Sequence, residues 1–140
     1  MSDTREAICK RLAEICATTG ATVKRMAVDL HQSERPAIVV NDGDEAIELN
    51  KGGKAPLIVT LRPQLVLIVA DADTPGTAIN KLRASVLKAV LTDDTLAGLL
   101  HPHGGIKYVG LEAGIERGET NEAHMGLNFE VSYRLTPAEL

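Results

Sequence analysis

At 140 residues, with 44% hydrophobic and 24% charged residues, the chain has the length and composition of one globular domain spanning residues 1–140. Its formal net charge of -4 disfavours a grip on duplex phosphates, and an aromatic content of 2%, without Trp, leaves few rings on which single-stranded bases would stack. The start MSDTREAICKRLAEI lacks the basic segment and apolar run of a signal peptide, and the longest apolar run, Leu65–Ala70, is strand-sized. The expectation is a protein that folds in a cytoplasm, with no membrane span.

Asp3 or Ser2 caps a first helix in which Ile8, Leu12 and Ile15 recur at i, i+4 and i+7, with Gly20 as its stop. Cys9 and Cys16 lie about 10 Å apart along that helix, too far to bridge, and read as two small buried thiols in a reducing compartment. Residues 21–30 read as a weak strand or irregular link. Arg35–Pro36 sets an extended entry to a short strand, Ala37–Val40, which runs into an acidic turn carrying Asp42, Asp44 and Glu45.

A polar loop with Lys51 and Lys54 around paired glycines follows. Leu57–Asp71 is nearly all strand-forming, and Pro63 in its middle cannot donate a ladder hydrogen bond; it implies an edge, a bulge or a break into two strands. Thr74 caps a second helix, with Pro75 in its first turn and an apolar stripe of Ile79, Leu82, Val86, Leu87, Val90 and Leu91. Asp93 or Asp94 caps a short third helix through Leu100, and HPHGG turns the chain.

The segment IKYVGLEAGIERGE and the last strand form an antiparallel pair joined by ERGETNEA. In that last strand Met125, Leu127, Phe129, Val131, Tyr133 and Leu135 fall on one side, and His124, Gly126, Asn128, Glu130, Ser132 and Arg134 on the other. The first set makes a core; the second needs a partner or water. The element order predicts an α+β fold, a mainly antiparallel sheet with two main helices packed on one face.

Chemistry is scarce. There is no glycine-rich phosphate loop. The stretch DADTPG begins like a calcium loop, but Pro75 takes the place of the third ligand and Leu82 that of the bidentate Glu. His101 and His103 flank Pro102 without a third ligand at a recognisable spacing, and His124 has no partner within local reach. No catalytic, cofactor-binding or metal-binding residue is assigned, and no enzymatic activity is expected. An alternative reading, a small α+β ligand-binding or enzyme domain, would centre on Asp42, Asp44, His101 or His103. The charged loops are acidic at 41–48, basic at Lys51 and Lys54, and mixed at Arg117 and Glu119, a pattern that lets loops of one sign meet loops of the other on a second copy.

From Arg35 onward the chain resembles the tail terminator, or tail completion, proteins of long-tailed bacteriophages. The resemblance rests on RPAIVVNDGDE, LRPQLVLIV, Asn80-Lys81-Leu82-Arg83 inside the second helix, and Asp93-Asp94-Thr95-Leu96 after it. It continues through Gly105-Ile106-Lys107-Tyr108-Val109-Gly110 and the alternating strand closing on SYRLTP. Arg62 departs from the pattern before Pro63 and suggests a local salt bridge or an interface.

The resemblance implies a virion structural protein without cofactor. It would be a homo-hexameric ring at the head-proximal end of the tail tube that stops tube polymerisation and offers a surface for head attachment. Its partners would be the tail tube protein and a head completion or connector protein, and DNA would pass through the lumen without specific binding. A head–tail connector is the alternative within the same class. Asp42, Asp44, Glu45, Lys51, Lys54, Arg62, Arg117, Glu119, Asn128, Glu130 and Arg134 are the candidate interface residues.

Overall fold

The computed structural model describes residues 3–26, 35–48, 57–71, 73–100, 105–116 and 122–135. Their order is α1 (Thr4–Ala17), β1 (Thr22–Arg25), β2 (Ala37–Glu48), β3 (Leu57–Ala70), α2 (Pro75–Leu91), α3 (Asp94–Leu99), β4 (Ile106–Glu116) and β5 (Glu122–Leu135). The strands form one sheet in the order β1-β2-β3-β5-β4, antiparallel except for the parallel β1–β2 pair. The fold is α+β, as the element order implies.

Each helix begins at an acidic side chain. Asp3 accepts from the Glu6 N–H at the start of α1, and Asp93 accepts from the Leu96 N–H at the start of α3. At α2 the structure corrects the expected cap. Thr74 holds the N-cap position without a side-chain bond, and Asp71 Oδ1 instead accepts from the Asp73 and Thr74 N–H groups at 2.9 Å each. These two bonds hold the Asp71 carboxyl below its ordinary range. Arg11 of α1 grips Asp93 with two bonds of 2.9 and 2.7 Å, which ties the first helix to the third.

All three helices lie on one face of the sheet. Ile8, Leu12, Ile15, Ile79, Val86, Val90 and Leu96 bury against Ile38, Val40, Leu61, Leu65, Leu67, Leu127, Phe129 and Val131. Phe129 is the largest fully buried side chain, and burying a side chain of this kind contributes about 1.5–3 kcal/mol. Leu91 does not complete the stripe of α2; it is 47% exposed at the last turn.

The acidic turn expected after Val40 does not exist. The short strand continues through it as the twelve-residue β2. Asn41 lies opposite Gln64 and Asp44 opposite Arg62, so Asp42 and Gly43 together face the single residue Pro63. Of the three possibilities for Pro63, the bulge is realised, and it forms in the partner strand while β3 runs unbroken through the middle of the sheet. Gly43 takes φ +84, and a Cβ there would overlap the carbonyl oxygen of Arg62.

Gly43→Ala should therefore cost about 3 kcal/mol or more, read as a lowered urea midpoint, because strain and overlap add. Gly20→Ala is the control: φ is +87 but nothing lies within 4 Å, so about 1–2 kcal/mol is expected.

Candidate functional site

The helix layer covers one face of the sheet; among the described residues no helix covers the other. Strand alternation places His124, Gly126, Asn128, Glu130, Ser132 and Arg134 of β5 on that second face, in register with the matching residues of β3. Ala37, Val39 and Ile68, on two neighbouring levels, are closed to solvent there, whereas Asp44, Arg62, Glu130 and Lys107 are partly or well exposed.

Two polar rows cross this face. In the first, Asn41 Nδ2 donates to Gln64 Oε1 at 3.5 Å and Gln64 Nε2 donates to Asn128 Oδ1 at 3.0 Å, an amide ladder over three strands. Gly126 makes room for it, since a Cβ there would meet Gln64 Nε2 at 2.8 Å. The second row alternates in sign over four strands: Asp44 opposite Arg62, Arg62 beside Glu130, and Glu130 opposite Lys107. Arg62 Nε stands 3.5 Å from Glu130 Oε1 with both side chains substantially exposed. Such a pair contributes roughly 0–1 kcal/mol, so the row shapes a surface more than it stabilises the fold.

At the far end of the same face lies an ion pair that sequence reasoning missed. Glu122 is 9% exposed, and its carboxylate meets Arg35 Nε at 3.1 Å and His124 Nε2 at 3.2 Å. His124 therefore has a local partner after all, two residues back on the same strand face. Its hydrogen bond, aided by Arg35, holds the Glu122 carboxyl below the usual range against the cost of burial.

The bulge divides the acidic cluster. Asp42 pairs with Arg25 at 2.8 Å, and Arg25 also holds Glu6 at 2.7 Å. Glu45 pairs with Arg5 at 2.6 Å on the side of α1, and Arg5 donates a second bond to the Gly43 carbonyl at 3.0 Å. Only Asp44 goes to the uncovered face. Asp42, Asp44 and Glu45 thus do not converge on one point. Arg62, Asn128 and Glu130 share the uncovered face with Asp44, and Arg134 extends it at the level of Ile58. Lys51, Lys54, His101, His103, Arg117 and Glu119 lie outside the described residues.

A pocket of about 360 Å³ opens between α1, β3 and α2, lined by Thr19, Pro36, Val69, Lys81, Leu82 and Ser85 among others. Lys81 is its one charged lining residue among the described residues. Among the described residues no group of three or more His, Cys, Asp or Glu side chains is placed to hold a metal ion. No protein-family model matches the chain, and no curated protein matches it.

Both cysteines are free and buried in the core. Burial pushes the Cys9 thiol up to about 12, reinforced by the Asp42 carboxylate beside it, and burial alone takes Cys16 to about 12. Neither is a nucleophile near neutral pH. A thiol reagent at pH 8 should label neither cysteine in the folded protein and both after denaturation. Because folding raises both thiols above their ordinary value of 9.0, their contribution to stability is full below pH 9 and is lost as pH rises towards 12. A denaturant midpoint that held constant up to pH 11 would contradict this.

Proposed function

We propose that this chain is a structural assembly protein of the tail terminator type, a subunit of a homo-hexameric ring in the phage virion. The ring sits on the head-proximal end of a tail tube, halts its growth and presents a surface to the head completion protein. It performs no chemical step; its work is surface complementarity.

The observation that carries this reading is the two-faced sheet. One face is consumed by the helices, while the other presents ordered polar rows across four strands without converging on a reaction centre. Ordering the side chains of Gln64, Asn128, Arg62 and Glu130 costs conformational entropy, which a second macromolecular surface or a confined passage repays. The sequence resemblance from Arg35 onward names the assembly. A lumen lined by the alternating row would present no net positive patch, and a chain of net charge -4 would let DNA pass without holding it.

Adding the purified protein to polymerising tail tubes, viewed by negative-stain electron microscopy, tests the reading. The expected outcome is a capped end on each tube and a mean length that falls as the ratio of this protein to tube subunit rises. Tubes that grow to the same length with bare ends would rule it out.

A further inference from the structure

The two edges of the sheet match each other. Among the described residues, β1 and β4 are the outermost strands, and nothing continues the sheet beyond either. An edge strand presents a row of unpaired backbone N–H and C=O groups, a template for another chain. Among the described residues, three of the five exposed large apolar side chains sit at these edges: Met26, 60% exposed just past β1, and Val109 and Leu111, 59% and 40% exposed on β4.

The register carries the comparison across the molecule. Lys24 on β1 lies opposite Val39, Val39 opposite Val66, Val66 opposite Gly126, and Gly126 opposite Glu112 on β4. One level of the uncovered face thus begins with an exposed cation at one edge and ends with an exposed anion at the other. The next level behaves the same way in apolar terms. Met26 leaves β1 with a left-handed φ of 52, but its N–H still donates to the Val40 carbonyl and its sulfur accepts from the Asp42 N–H at 3.4 Å, which holds it at the level of Asn41. That level runs through Gln64 and Asn128 to Gly110. Gly110 adjoins the bulged, exposed Val109, and a Cβ built on Gly110 would meet nothing within 4 Å, so the surface is open at the height of Met26.

We infer that β4 of one copy pairs antiparallel with β1 of the next, head to tail, with Lys24 opposite Glu112 and Met26 over Gly110 and Val109. The strand directions agree: β1 runs with β2 and β5, and β4 runs against them. A head-to-tail contact closes into a ring only if it adds rotation without rise. Matching the two edges at one level removes stagger along the strands, which is compatible with closure. The sheets then form a continuous wall, with the helices on one side and the polar rows on the other. This inference rests on the ring reading above and specifies the contact from which the ring is made.

Two proteins, Lys24→Cys and Glu112→Cys, mixed in the full chain under mild oxidation, test the pairing. Residues directly opposite in an antiparallel pair have Cα atoms about 4.5–5.5 Å apart, within disulfide reach. Buried Cys9 and Cys16 stay silent. The expected result is a covalent dimer in the mixture, none from either protein alone, and a ladder ending at the ring size from the double variant. A ring of normal mass with no 24–112 cross-link overturns the edge pairing and leaves the ring reading standing. A chain that stays monomeric even with tail tubes present overturns both. Cross-linking of Glu112→Cys with itself indicates a two-fold β4–β4 contact and overturns the head-to-tail arrangement.

Charge reversal gives a second readout that needs no cysteine. Lys24→Glu should weaken association about three- to fivefold per contact, and adding Glu112→Lys should restore it. Weakening without restoration counts against the pair.

Discussion

Pro63 has no N–H to give, and it lies in the middle of the central strand. Most of the molecule's layout follows from how the sheet accommodates it. Beside it, β2 inserts an extra residue, so Asp42 and Gly43 share the space opposite one proline. The insertion reverses the alternation of β2. Before it, Ala37, Val39 and Asn41 face away from the helices; after it, Asp44 does, while Glu45 turns towards α1. Arg5 and Arg25 then fasten the bulge from the first helix and the first strand. One backbone constraint therefore decides which acidic side chain meets solvent, which is neutralised inside, and where the alternating charge row begins.

The other organising asymmetry is energetic. The helix layer buries the middle of the apolar side of β3 and β5, with Leu61, Leu65, Leu67, Leu127 and Val131 at 0% exposure. A change on that face first costs packing. Around the charge row the uncovered face can vary at little cost to the fold, because the ion pair of Arg62 and Glu130 is exposed. On the proposed reading, stability and recognition fall to opposite sides of one sheet. An assembly protein gains from that division, since its contact surface must be presented before the partner arrives.

The parts of this layout legible in the sequence were those governed by short periods. The alternation of β5, the stripe of α2 as far as Val90 and an acidic cap at Asp93, one of the two residues expected there, are local, and the structure has all three. The acidic stretch after Val40 misled because an Asn-Asp-Gly run has the composition of a hairpin turn; the pairing with Pro63 that makes it a bulge lies about twenty residues further on. The Arg35–Glu122 ion pair was invisible for the same reason, since the two are brought together only by the path of β2, β3 and β5. The match of Lys24 to Glu112 was further out of reach, because it exists only once four registers are known. Of the residues singled out for an interface, Asp44, Arg62, Asn128, Glu130 and Arg134 share one face, and Asp42 and Glu45 serve the bulge instead.

The central claim is that copies of this chain close on one another into a ring. The most direct measurement is the mass in solution by light scattering, over a range of protein concentration and salt, with and without tail tubes. The account predicts a species of six times the 14.9 kDa chain mass, appearing as concentration rises or as tube ends are supplied. A 14.9 kDa species that persists under every one of those conditions would contradict it.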